Sequence, residues 1–229
     1  MEIDIDLTYK NVCEKIKEVE KNIAKTRYAL DENILKNIIP KHKEDYLKSD
    51  LEYVYFVSTL INSFYSTRMG NDRLYIVAEY ISQYRNIRKL DQIIKIINEK
   101  NINKFQLKNV DKEIKKPKSF KAYSFLSKYY AIHNRMLKHN GDYSEFPIFD
   151  GRVEKCLKQI IHNVKENKNT NYSKKFVDKM KVFYIKDIYN YEKLYNMLNL
   201  IVEEINITKP QKATPLNLTN IDRYFWSFK

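Results

Sequence analysis

The sequence predicts an all-α protein, and three observations carry that expectation. Only 3 glycines and 5 prolines punctuate 229 residues, too few turn residues for a many-stranded sheet. Apolar residues recur at three- and four-residue spacing along most of the chain, the period of a helix rather than a strand. Strand-like alternation is confined to Glu2–Asp6. The apolar share of 43% supports a core and argues against disorder.

Val12, Ile16, Val19, Ile23 and Ala24 form one stripe of a helix from Thr8 to about Leu30, with Lys and Glu opposite. A short helix over Asp31–Ile39 stops before Pro40. Ser49 and Asp50 are cap residues for a helix through Val54, Val57, Leu60 and Ile61 to about Phe64. That helix is apolar nearly all round and is expected to be central. Met69–Asp72 reads as a turn and cap, followed by a helix carrying Leu74, Ile76, Val77 and Tyr80. Two short helices are expected between Asn86 and Asn109, one bearing Ile93, Ile94 and Ile97, the next Phe105 and Leu107.

Val110–Lys118 is basic, contains Pro117 and reads as a connector or the first arm of a hairpin. Ser119 is the expected cap of a strongly apolar helix bearing Lys128, which gives way to a polar loop from Asn134 to Phe146. Asp150 caps a helix with Val153, Cys156, Leu157, Ile160, Ile161 and Val164 on one stripe. After a polar loop over Lys165–Tyr172, helices are expected around Phe176–Met180 and from Ile185 to Ile205. Thr208–Leu218, with Pro210 and Pro215, reads as a linker, and Asn220–Trp226 as a short aromatic helix. Two helical lobes are expected, over residues 1–110 and 111–229.

The net charge of +13 points to a polyanionic partner, with nucleic acid the first candidate. Richness in Lys, Asn, Ile, Tyr and Phe is also what compositional bias in the coding sequence produces, so charge alone leaves a plain helical interaction protein open. The many tyrosines suit both half-buried helix faces and base stacking. Cys13 and Cys156 lie far apart, which speaks against a disulfide framework or a cysteine zinc site and for reduced thiols in a cytoplasmic protein. The acidic start is unlike a secretion signal, and the longest apolar run, around Tyr53–Ile61, is far short of a membrane span. His42, His133, His139 and His162 include no i,i+4 pair, so no metal is expected. The chain has no GxGxxG, no P-loop and no GxSxG, and no cofactor is expected.

Lys128 and Asp150 are the residues on which function turns. Phe125, Ala131 and Ile132 lie three or four residues from Lys128, which places its amine at the border of a core. Partial desolvation there would favour a neutral, nucleophilic amine. Lys121 and Ser124 share its stripe, which is also how a solvated face looks. Asp150 follows Phe146-Pro147-Ile148-Phe149 and precedes Gly151, a sharp loop-to-helix entry. A helix cap and an oriented catalytic carboxylate are both consistent with that position.

Ser-Phe-Leu-Ser-Lys at 124–128, an intervening loop, and Phe-Pro-Ile-Phe-Asp-Gly-Arg-Val at 146–153 together resemble the active-site stretch of the helix-hairpin-helix DNA glycosylases, in particular the 8-oxoguanine branch. Ile221–Trp226 is similar to an aromatic helix found after the catalytic part of that family. The resemblance covers about 119–164 and implies a two-lobed all-helical fold with the active cleft between lobes. It implies that Lys128 attacks C1′ of a damaged nucleoside in double-stranded DNA, with Asp150 stabilising the developing positive charge. The nucleotide would be flipped out of the duplex, into a pocket drawing on Tyr123, Tyr129, Tyr130, His133 or Trp226. The family hairpin is glycine-rich, whereas Ser124 and Leu126 stand at the corresponding places here. Phosphate contact is therefore assigned to Lys115, Lys116, Lys118 and Lys121, with Arg152 beside Asp150. The aspartate loop is one residue longer, with Phe149 inserted. A non-catalytic nucleic-acid-binding protein on the same scaffold is the alternative.

Overall fold

The structure is a computed structural model that describes residues 3–24, 34–35, 37, 50–64, 69–84, 90–102, 105–106, 119–120, 122–137, 146–168 and 171–228. Among these the chain is all-α apart from one two-residue strand pair. Two compact units are formed, Met1–Ala29 with Tyr143–Lys229, and Leu30–Asp142. This division differs from the expected boundary at residue 110. The helix α1 (Tyr9–Ile23) packs on two helices near the other end of the chain. Local spacing shows that a helix has a face to bury, but not which distant element covers it.

In the unit that joins the two chain ends, α1 buries Val12, Ile16 and Val19. Residues 3–8 belong to no helix or strand, and their alternation is real, since Ile5 and Leu7 are buried. No strand pairs with them among the described residues. Instead the Ile5 carbonyl accepts from the Tyr172 hydroxyl at 3.1 Å, and the Asp6 carbonyl from the Tyr224 hydroxyl at 2.7 Å. Side chains thus satisfy backbone groups that a ladder would otherwise take.

The helices α6 (Gly151–Lys165), α7 (Lys174–Met180), α8 (Tyr191–Ile207) and α9 (Leu218–Phe225) complete this unit. As expected, α6 buries Val153, Cys156, Leu157, Ile160, Ile161 and Val164. Ser173 caps α7 by accepting from the Phe176 N–H, while its own N–H and hydroxyl donate to the buried carboxylate of Glu204. The linker-like stretch after α8 is tied down, because the Asn206 side chain pairs both ways with the Leu216 backbone at 3.0 and 2.9 Å.

The continuous helix expected over 185–205 is divided. A 3₁₀ helix spans Ile185–Tyr189, and Asn190 then caps α8 by accepting from the Lys193 N–H at 3.1 Å. Asp187 holds the break, its carboxylate accepting from the Tyr184 N–H at 2.8 Å and the Lys193 ammonium at 2.7 Å. Burial opposes ionisation of Asp187, but the bonds from Lys193 and Tyr184 outweigh it and hold the carboxyl below its ordinary range. A depressed folded-state pKa adds stability above the unfolded value, near about 3.9, and that stability is lost as pH falls through the folded value. Asp187→Asn should therefore melt below the wild type at neutral pH, with the gap closing below about pH 4. A gap that stays constant in melts from neutral to acidic pH would show that the charge contributes nothing.

In the unit Leu30–Asp142, only Ile34, Leu35 and Asn37 of the expected second helix are described, and all three are helical. The helices are α2 (Asp50–Phe64), α3 (Asn71–Ser82), α4 (Leu90–Ile102) and α5 (Tyr123–Leu137). Among the described residues one helix, α4, stands where spacing predicts two, and Leu107 of the second lies outside them. Phe105 instead lies in β1 (Phe105–Gln106), antiparallel to β2 (Ser119–Phe120), with Phe105 opposite Phe120. Ser119 is accordingly a strand residue rather than a helix cap, and α5 runs past Asn134, where a loop was expected. The expected connector Val110–Lys118 lies outside the described residues. The helix buried on all sides is α5: every residue from Ala122 to Ile132 except Ser124 is buried. α2, expected to be central, leaves Leu51, Tyr55, Phe56 and Leu60 half-buried.

Candidate functional site

Lys128 sits in the middle of that buried stretch and is only 9% exposed. Phe125, Leu126, Tyr129, Ala131 and Ile132 around it are buried as well. The solvated-face reading of this lysine therefore does not hold. Lys121, which supported it, is outside the described residues. Lysine is rarely buried in folded proteins without a partner or a task.

The residues assigned to a base pocket divide between the units. Tyr123, Tyr129, Tyr130 and His133 all lie on α5. Phe125, Tyr129 and His133, four residues apart, form a column of rings along one face: Tyr129 lies 6.5 Å from Phe125 and 5.2 Å from His133, nearly parallel to the latter. Tyr130 meets Tyr129 edge-on at 5.5 Å. From α2, the Tyr53 hydroxyl hydrogen-bonds His133 Nε2 at 3.1 Å. Burial pushes the Tyr53 hydroxyl up to about 12 and raises those of Tyr123 and Tyr130 as well. These rings are core side chains of their unit.

Asp150 opens α6 in the other unit. Its Oδ1 accepts from the Arg152 and Val153 N–H groups at 2.9 and 3.0 Å, so the cap is made as expected. The loop before it is fixed by burial of Phe146, Pro147 and Phe149, and by the Tyr191 hydroxyl, which donates to the Pro147 carbonyl at 2.8 Å. Phe149, the extra residue of this loop, is one of its anchors and meets the Tyr189 ring edge-on at 5.9 Å. Arg152 and Trp226 come together beside Asp150, the guanidinium carbon 4.8 Å from the indole centroid. Arg223 stands 5.8 Å from the same ring. Sequence reasoning passed over Arg223, although its i,i+3 spacing to Trp226 on a helix end was the signal. Burial pushes the Cys156 thiol up to about 12, with the charge of Asp150 adding to it, which leaves Cys156 unreactive.

Lys128 and Asp150 thus belong to different units. Lys115, Lys116, Lys118 and Lys121 are outside the described residues. A cleft of about 600 Å³ between α7 and α8 is lined by Ser173, Lys175, Phe176, Lys179 and Glu203 among others, and by none of the candidate catalytic, phosphate-contact or base-pocket residues. Among the described residues no cluster of His, Cys, Asp or Glu is arranged to hold a metal, and no helix is long and apolar enough to cross a membrane.

Fold and site together define a basic, all-helical protein of two units with a buried lysine in one and a capped aspartate beside an arginine–tryptophan cluster in the other. No family model, no curated protein and no solved structure matches the chain.

Proposed function

We propose that the protein is a DNA glycosylase with lyase capacity, excising an oxidised or modified base through a Schiff base on Lys128. The observation that carries this reading is the burial of Lys128 in α5. Desolvation disfavours an ammonium ion, and the neutral amine is the nucleophilic form. In the proposed reaction the amine attacks C1′ of an everted nucleotide and the C1′–N bond breaks, its electron pair leaving with the base. Asp150 stabilises the positive charge developing on the sugar and takes the proton released by the amine. The departing base takes up a proton from water, O4′ takes up the carboxyl proton as the sugar ring opens to the iminium on Lys128, and elimination from that iminium cleaves the strand. Orientation of the Asp150 carboxylate by two backbone N–H groups supports its role. Arg152 serves as a phosphate contact, while Tyr123, Tyr129, Tyr130 and His133 pack the interior of the unit that carries Lys128.

The test is borohydride trapping on duplexes carrying 8-oxoguanine or an abasic site. A covalent adduct is expected with the wild type and is lost in Lys128→Ala. It is also lost in Lys128→Arg, which keeps the charge on a guanidinium that does not act as a nucleophile. Asp150→Asn should slow adduct formation by about 10²-fold or more. Absence of an adduct with the wild type on both duplexes overturns the reading. The charge of +13 then favours a non-catalytic nucleic-acid binder, for which duplex affinity falls steeply with salt while nothing is trapped.

A further inference from the structure

Four of the six exposed large apolar side chains among the described residues fall in one eight-residue stretch: Val182 at 67%, Tyr184 at 56%, Ile185 at 48% and Tyr189 at 39%. Single exposed apolar residues are ordinary, but a cluster marks a contact surface. The 3₁₀ helix of this stretch packs along α6. Toward the start of α6, Tyr189 is held by its hydroxyl, which donates to Glu154 at 2.7 Å. Toward its end, the Lys165 ammonium lies 3.7 Å from the Tyr184 ring centroid, with Lys186 at 5.8 Å. Eleven residues of α6 separate these two attachments, a rise of about 16 Å. Asp187, in the middle, is turned inward and bound to Lys193 and the Tyr184 N–H. The apolar side chains are therefore held outward by a fixed backbone.

Charge indicates what covers them. Lys165, Lys181 and Lys186 are all exposed along the ridge. Of its acids, Glu154 is paired with Lys158 and Tyr189, Asp187 is buried against Lys193, and Glu166 adds one exposed carboxylate. Tyrosine faces interleaved with lysines fit a polymer that alternates flat rings with anions. A membrane surface is a poorer match, since interfacial anchors present a broad apolar helix face rather than one 3₁₀ turn.

We propose that Val182–Tyr189 with Lys165 is a docking ridge for single-stranded nucleic acid, its bases stacking on Tyr184 and Tyr189 and its phosphates meeting Lys165, Lys181 and Lys186. The ridge shares a nucleic-acid partner with the glycosylase reading but does not depend on chemistry at Lys128. The experiment is fluorescence anisotropy of the full chain with a labelled oligo-dT strand over a range of salt. Tyr184→Ala should weaken binding by about 5- to 100-fold, the range for loss of one stacking platform. Lys165→Gln with Lys186→Gln should lower the salt slope by about 1.4, near 0.7 for each lost phosphate contact. Tyr75→Ala, an exposed tyrosine of α3, should bind as wild type, and Tyr184→Ala should still form the borohydride-trapped adduct, which separates this result from the trapping assay. Unchanged affinity in both ridge variants, with melting confirming that each is folded, overturns the proposal. So does binding to phosphatidylserine vesicles that the ridge variants lose while strand binding is retained.

Discussion

Phe125→Ala is expected to destabilise the unit Leu30–Asp142 by about 3–5 kcal/mol, the usual range for removing a buried aromatic ring. Phe125 is buried at one end of the ring column on α5, and Tyr129 next to it is stacked in turn on His133. Truncation removes apolar burial and leaves a void that the column fills only by shifting Tyr129. Tyr129 is constrained, because its stacking partner His133 is held by the Tyr53 hydroxyl from α2. Little collapse is available, which places the loss toward the upper end of the range. Gln92→Ala, at an exposed position of α4 in the same unit, should stay within about 0.5 kcal/mol of wild type. Denaturant titration followed by near-ultraviolet circular dichroism reads both. A loss under about 1 kcal/mol in Phe125→Ala would mean that α5 is not the centre of its unit.

The elements legible in the sequence are those whose signal is local. Val12, Ile16 and Val19 announce α1 by spacing alone, and Asp150 announces the start of α6 by cap chemistry; both are as expected. The misread elements are those set by a distant partner. Ser119 has the residue type of a cap, yet pairing with Gln106 makes it a strand residue. The stripe through Ile188, Tyr191 and Leu194 reads as one helix, and only the side-chain bonds of Asp187 and Asn190 divide it. Asn190 is a favoured cap type, so that break was written in the sequence but masked by the apolar period. For the candidate site, the setting of Asp150 followed from its neighbours, whereas the burial of Lys128 did not. Three apolar neighbours on one helix cannot say whether other elements close over the fourth side.

Tyr191 is the residue through which the fold of one unit reaches the candidate site. Its ring is fully buried at the first turn of α8, and its hydroxyl donates to the buried carbonyl of Pro147, three residues before Asp150. Tyr191→Phe keeps the ring and removes the donor, leaving a buried acceptor unsatisfied; a loss of about 1–3 kcal/mol is expected. Tyr191→Ala adds the truncation of a buried aromatic, about 3–5 kcal/mol more. The two variants together separate the hydrogen bond from ring burial. A consequence for chemistry follows from the same tether. Displacing a catalytic group by about 1 Å can slow a reaction 10²-fold, so Tyr191→Phe should lower the rate of borohydride-trapped adduct formation although it touches neither Asp150 nor Lys128. Asp150→Asn in the Tyr191→Phe background should then add little, because both changes act on the same carboxylate. Additive losses would instead place Tyr191 outside the chemistry and leave it with stability alone.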